Sequence, residues 1–248
     1  MPTRTALAIV ASILILACSR EAKSASHRTV VLELFTSQGC SSCPPADKLL
    51  SKLGRESFHG GRIIPLAYHV DYWNHLGWRD PFSSAQWSAR QNEYARAIKS
   101  AQVYTPQVVI GGRAQMVGSA EAHVRGEIDR QLEQQERGFI TIDRVTRNGD
   151  ALLVDLHARV VAGRANVMVA LFENGITTSV ASGENAGREL TNDYIVRWES
   201  RVKEIGTVEE KATITIPLRK DWNAKHLGVA AFLQDPKSLA IEAADARM

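Results

Sequence analysis

The sequence predicts an α/β domain followed by a small antiparallel β domain. Two observations carry this. First, an apolar, β-branched run, Thr29 to Thr36 (TVVLELFT), leads through Cys40-Ser41-Ser42-Cys43 into a segment opened by Pro44-Pro45. Such a run reads as a buried strand, and Pro suits the first helical turn. Second, from Phe139 onward the chain breaks into short alternating stretches separated by turn residues, the pattern of a β-sandwich. A length of 248 residues leaves room for one or two such units.

Each element follows in order. Ser37-Gln38-Gly39 breaks the first strand. The helix from Pro44 carries Leu49, Leu50 and Leu53 and stops at Gly54. Arg62 to Val70 (RIIPLAYHV) reads as a second strand. Residues 71–104 hold Tyr72, Trp73, Trp78, Phe82, Trp87, Tyr94 and Tyr104. Within them Ser83 or Ser84 caps a helix whose apolar side includes Trp87, Tyr94 and Ile98. Gln107 to Ile110 is a strand closed by Gly111-Gly112. A helix from Ser119 runs through Val124, Ile128 and Leu132 to about Arg137. The later strands are Phe139–Val145, Leu152–Val160, Asn166–Phe172, Ile195–Trp198, Ala212–Ile216 and Val229–Leu233. The chain therefore divides into a leader and tether at 1–26, an α/β domain at 27–138 and an antiparallel β-sandwich at 139–248.

Composition narrows the function classes. A net charge of +3, from 30 basic and 27 acidic residues, is too balanced for a nucleic-acid surface, so no nucleic-acid partner is expected. At the amino terminus Arg4 precedes an apolar run from Ala6 to Ala17. That is a signal-peptide n-region and h-region, too short to span a bilayer comfortably. Ile15-Leu16-Ala17-Cys18 reads as a bacterial lipobox, with Cys18 lipidated and the protein held at the periplasmic membrane surface. The alternatives are cleavage near Ala22 to Ala25, giving a free periplasmic protein, and an uncleaved anchor. All three imply export. With Cys18 acylated or removed, Cys40 and Cys43 remain as an even pair in an oxidising compartment.

A cysteine at a helix N-terminus faces unpaired N–H groups and the positive end of the helix dipole. That environment favours thiolate, the form that attacks disulfides. Cys40 is thus the expected attacking cysteine and Cys43 the resolving one. A static structural bridge, a metal site and a non-catalytic envelope interaction scaffold are the alternatives. The metal reading gathers Cys40, Cys43 and His69, with His75 completing a Cys₂His₂ set, around zinc or copper, although the interval from Cys43 to His69 exceeds usual finger spacing.

The order strand, C-x-x-C, helix, strand, then Tyr104-Thr105-Pro106-Gln107 before another strand resembles a thioredoxin fold. The aromatic-rich segment would be its helical insertion. The resemblance implies a cis-Pro106 facing the dithiol, with Thr105 presenting its backbone to substrate. It also implies a redox-active disulfide with no separate cofactor, exchanging with exported protein thiols or small thiols. There is no Trp before the first cysteine, and Ser-Ser replaces Gly-Pro. The longer runs ELFTSQGCSSCPPAD, YHVDYWNHLGWRDPF, RQNEYA, YTPQVVIGG, GENAGREL and FLQDP resemble the secreted bacterial family called domain of unknown function 1223. That family carries no assigned activity.

Glu33 is a carboxyl in an apolar strand, seven residues before Cys40. Thioredoxins use a buried acid on this strand as a proton relay, so Glu33 is the candidate here. The spacing is one residue longer, and strand alternation would then turn it to the opposite face; a structural ion pair with Arg79, Arg90 or Arg96 is the alternative. Tyr72, Trp73, Trp78 and Trp87 form either a substrate-facing wall or the core of a cap. Gly183-Glu184-Asn185-Ala186-Gly187-Arg188 reads as a turn that docks one domain on the other, and Asp80-Pro81 as a turn, while Asn74, Arg79 and Asp80, exposed-looking polar residues among aromatics, hint at a pocket with no named ligand.

Overall fold

The computed structural model describes residues 28–100 and 102–248, so the lipobox and Cys18 lie outside the described residues. Thirteen strands and three α-helices are formed among those residues. The first strands are β1 (Arg28–Thr36), β2 (Gly61–His69), β3 (Gln107–Ile110) and β4 (Ala114–Val117). The helices are α1 (Pro44–Leu53), α2 (Ala85–Ile98) and α3 (Glu121–Leu132). The second half contributes β5 (Gly138–Asn148), β6 (Ala151–Val160), β7 (Ala165–Glu173), β8 (Ile176–Ser179) and β9 (Glu189–Asn192). It ends with β10 (Ile195–Ile205), β11 (Glu210–Pro217), β12 (Leu227–Gln234) and β13 (Ile241–Arg247).

The predicted fold class does not hold. There is no thioredoxin-like domain with a helical insertion followed by a small antiparallel β-sandwich. The protein is mostly β, built on one eight-stranded mixed sheet in the order β13-β12-β7-β10-β2-β1-β3-β4. Strands from both halves share it. β2 runs parallel to β1 and meets β10 in parallel at Ala67, whose N–H donates to the Tyr194 carbonyl at 2.8 Å. The reason is written in burial. β7 (ANVMVALFE) is buried at every position and β12 nearly so. Strands that are apolar on both faces belong at the centre of a covered sheet, not in a half-exposed sandwich. The apolar outer edge of β2 likewise needs a partner strand.

The two faces of this sheet are covered differently. On one lies α2, whose Trp87 and Tyr94 pack on Val31, Phe35, Tyr68, Phe172 and Phe232. On the other, α1 and α3 cover the β1–β3 end through Leu50, Leu53, Val124 and Ile128 against Leu32, Leu34 and Ile110. A three-stranded sheet, β11-β6-β5, covers the β7–β12 end through Ile142, Val154 and Ile216 against Val169, Leu171 and Ala231. Each fully buried side chain of this size stabilises by about 1.5–3 kcal/mol relative to exposure. The aromatic segment therefore supplies a covering layer, not an inserted cap. No helix among the described residues is long and apolar enough to cross a membrane.

Candidate functional site

Parallel pairing sets the floor of the site. Thr36, the last residue of β1, lies level with His69, the last residue of β2. Alternation sends both side chains to the face that α1 covers. The chain leaves β1 through Ser37-Gln38-Gly39 and reaches Cys40 and Cys43, which form a disulfide with Cα atoms 5.4 Å apart. Cys43 is the N-cap of α1, with Pro at its first positions. Cys43 accepts the first helical bonds, from the Ala46 and Asp47 amides at 2.9 and 3.1 Å. The Ser42 hydroxyl donates to Cys40 Sγ at 3.3 Å.

Both sulfurs are sealed. Cys40 and Cys43 are 0% exposed, while Ser41 and Ser42 are exposed. The β8–β9 loop, residues 180–188, lies against the motif's backbone. Asn185, itself 0% exposed, donates Nδ2 to the carbonyls of Gln38 and Cys40, each at 2.9 Å. Glu184 Oε2 accepts the Ser41 amide at 2.9 Å. Hydrogen bonds from the Ser41 hydroxyl and amide hold the Glu184 carboxyl below its usual range. The loop is tied at its base by Val180 to Arg188 and Gly187 to Val180, and Ser182 Oγ donates to the Gly77 carbonyl at 2.5 Å. The segment read from the sequence as a docking turn thus lies directly on the cysteine motif.

Trp73 bridges the motif to Thr105. It packs on Gly39, where a Cβ would stand 3.4 Å from the Trp73 Cβ. Its indole N–H donates to Thr105 Oγ1 at 2.8 Å. The Thr105–Pro106 bond is cis. Gly118 donates its N–H to the Pro106 carbonyl at 2.9 Å. A Cβ on Gly118 would meet Ala46 at 3.2 Å and Pro106 at 3.5 Å. Thr105 and Pro106 therefore border the first turn of α1. Trp87 belongs to the core under α2, and Trp78 reaches Gln38 Oε1 at 3.4 Å.

Glu33 lies elsewhere. Odd positions of β1 face α2, so Glu33 is on the opposite side of the sheet from α1. Arg90 Nε donates to Glu33 Oε1 at 2.7 Å, and the Tyr94 hydroxyl donates to Oε2. Arg90 also pairs with Glu199 at 3.2 Å.

A second buried acid lies on the α1 side of the sheet. Asp47 sits four residues after Cys43 on α1. Burial pushes its carboxyl up to about 6, with the Asp80 charge adding and His69, Thr36 and Asn192 opposing. His69 Nδ1 meets Asp80 Oδ2 at 2.7 Å, with both side chains fully buried. Burial alone would lower the His69 imidazole, but Asp80 and Asp47 outweigh it and hold it above its usual range. Asp80 Oδ2 also accepts the Gln38 amide at 2.7 Å, which ties this pair to the cysteine loop. The Gln38 side chain donates on to Asn192 Oδ1 at 3.0 Å.

The sequence assigns no role to Asp47, and none at the cysteine motif to Asp80, Glu184 or Asn185. For Asp47 the signal was its i+4 offset from Cys43. For Asp80 the signal was its place among aromatics, which hints at a pocket, but the sequence suggests an exposed residue and the structure buries it. The metal reading finds no support in the donor geometry. Both cysteine sulfurs are bonded to each other, and no group of three His, Cys, Asp or Glu side chains among the described residues is arranged to hold an ion.

Comparison with known proteins agrees with this architecture. The chain is 30% identical to protein AGR_C_4864 from Agrobacterium tumefaciens, with a TM-score of 0.68, covering 88% of this chain and 93% of that one. HBP35 of Porphyromonas gingivalis shares the fold at a TM-score of 0.71 and 15% identity, over 89% of this chain and 75% of that one. A comparison with functionally curated proteins gives no match. The family model described as "Protein of unknown function (DUF1223)" matches residues 31–234, and the chain belongs to that family.

Proposed function

We propose that this protein is an exported thiol–disulfide oxidoreductase that works through Cys40 and Cys43 on protein thiols or small thiols. The observation that carries the reading is a disulfide at the N-terminus of α1, covered by a hydrogen-bonded loop from a distant part of the chain. In the reduced form the helix N-terminus and the Ser42 hydroxyl favour a Cys40 thiolate. Cys40 attacks a substrate disulfide, and Cys43 releases the mixed disulfide. Thr105 and Pro106, beside the first turn of α1, offer an edge for the substrate backbone. Because both sulfurs are sealed, exchange requires the 180–188 loop to lift. The proposal includes export and an acyl anchor on Cys18. Loss of tritiated palmitate incorporation in Cys18→Ser is the result expected for that anchor; label that persists in the variant refutes it.

Complete burial of both sulfurs favours one competing reading, a structural clamp between the cysteine loop and the β8–β9 hairpin. Glutathione titration of the mature protein, with thiols trapped and counted by mass spectrometry, separates the two. A reversible two-electron couple between roughly −270 and −120 mV is expected for an exchange enzyme. A bridge that stays closed below about −300 mV is structural and overturns the proposal.

A further inference from the structure

We propose that Asp47, not Glu33, takes the proton of the resolving Cys43 thiol, and that His69 and Asp80 position and charge-balance it. The inference rests on the dithiol reading above and deepens it. Helical side chains lean toward the N-terminus, so a residue at i+4 lies over the turn that holds residue i. Asp47 is therefore directed back over Cys43, on the buried side of α1. Below it the parallel register brings in Thr36 and His69 from the strand ends.

Three buried polar atoms on this face have no hydrogen-bond partner among the described residues: Asp47 Oδ1, His69 Nε2 and Thr36 Oγ1. Such atoms are rare in native interiors, and each calls for an explanation. Here they come from adjacent elements around one carboxyl whose two protonation states both have a use. α1 packs on β1, β2 and β9. β1 presents neutral Thr36 and β2 presents His69. The loop after β2 presents Asp80. Arg188, Glu189 and Asn192 line a cleft of about 420 Å³ that Asp47 and Lys48 share. Arg197 also acts on His69, disfavouring its charge. Asp47 therefore has a proton-exchanging neighbour on one side and a route to solvent on the other.

The step balances as follows. Reduced Cys40 thiolate attacks a substrate disulfide and forms a mixed disulfide, and the departing substrate sulfur takes a proton from solvent. The Cys43 thiol then gives its proton to the Asp47 carboxylate. Its sulfur attacks Cys40 Sγ, the bond from Cys40 to substrate breaks, and the second substrate sulfur leaves with the electron pair and a solvent proton. The dithiol is oxidised by two electrons and the substrate disulfide is reduced by two. Running the step backward, Asp47 returns the proton to Cys43.

The test mixes the reduced full mature protein with oxidised glutathione, quenches in acid and follows closure of Cys40–Cys43 by mass spectrometry from pH 5 to 9. In Asp47→Asn the mixed disulfide should accumulate and close roughly 100-fold more slowly at pH 7. The inflection set by the Asp47 carboxyl should vanish from the pH profile. Equal closure rates and profiles in the two proteins overturn the proposal. A wild-type protein that forms no mixed disulfide overturns the dithiol reading itself, and this inference with it. A second measurement needs no variant: the Asp47 carboxyl is titrated by carbon-13 NMR in oxidised and reduced wild-type protein. Reduction replaces a bridge sulfur by a thiol that can donate to the carboxylate and should displace its titration. Coincident titrations refute the assignment.

Discussion

Two buried polar clusters lie on opposite faces of the same sheet, and they are built to different rules. On the α2 face, Glu33 receives Arg90 and Tyr94, Glu199 receives Arg90 and Tyr68, and the Gln234 amide donates to Tyr94 at 2.8 Å. The Arg90 guanidinium lies 5.4 Å from the Tyr68 ring centre and 5.2 Å from that of Tyr94. None of these six side chains keeps an unpartnered buried atom. On the α1 face, Thr36, Asp47 and His69 each keep one. A fully satisfied network rigidifies a core, whereas each unpartnered buried group calls for an explanation. The acid singled out from the sequence belongs to the first kind, and the acid in the first turn of the disulfide's own helix belongs to the second.

The largest effect separates the two clusters by stability. Arg90→Met leaves Glu33 and Glu199 buried without their shared cation. Breaking a buried pair from one side costs about 3–5 kcal/mol. Urea unfolding should show a loss of that size. The triple variant with Glu33→Gln and Glu199→Gln should recover most of it, because no charge is left stranded. A loss under about 1 kcal/mol would mean that the network is not what holds α2 on the sheet.

The next effect has the opposite sign. The folded state holds the Asp47 carboxyl near 6, above its ordinary 3.8. Its neutral form therefore favours folding. That contribution is complete below about pH 4 and is lost as pH rises through 6. Asp47→Asn escapes the cost of a buried carboxylate, so the variant should be more stable than wild type above pH 6. The gain is about 3 kcal/mol, from roughly two pKa units at ~1.4 kcal/mol each. His69, also raised, loses its contribution in the same direction with rising pH, while Asp80, held low by His69 and the Gln38 amide against its own burial, loses its contribution only in acid. Unfolding curves for both proteins from pH 4 to 8 check this. Parallel curves would remove Asp47 from the list of strained groups.

Much of the first half was legible. TVVLELFT is a strand, Pro44 opens a helix, and Gln107–Ile110 is a strand, because period, caps and proline chemistry are local. The joining of the halves was not legible. Whether Val167, Val169 and Leu171 alternate with solvent or with a second core depends on what covers β7, and the cover arrives from β5, β6 and β11. Glu33 was visible as an anomaly in an apolar strand, but its face turns on a one-residue register that sequence fixes poorly. Asn185 was visible only as part of a turn. Its two hydrogen bonds span 147 and 145 residues, and no local pattern encodes a contact at that range.

The smallest effects test the loop that sits above the second cluster. Asn185→Ala removes two donors from buried carbonyls, so the 180–188 loop should lift more readily. A lost buried hydrogen-bond donor is worth about 1–3 kcal/mol, so reduction of the disulfide by dithiothreitol should quicken by roughly 10-fold or more. Glu184→Gln keeps the shape but removes a charge from an exposed contact to the Ser41 amide. Exposed charged contacts are weak and screened by salt, so reduction should quicken only about two- to threefold, and the difference should fade at 1 M salt. The ranking matters more than either value. If Glu184→Gln exceeds Asn185→Ala, the loop is held by charge at its rim. If Asn185→Ala dominates, it is held at its buried centre, directly over the Cys40 carbonyl, and access to the sulfurs is governed by one amide side chain.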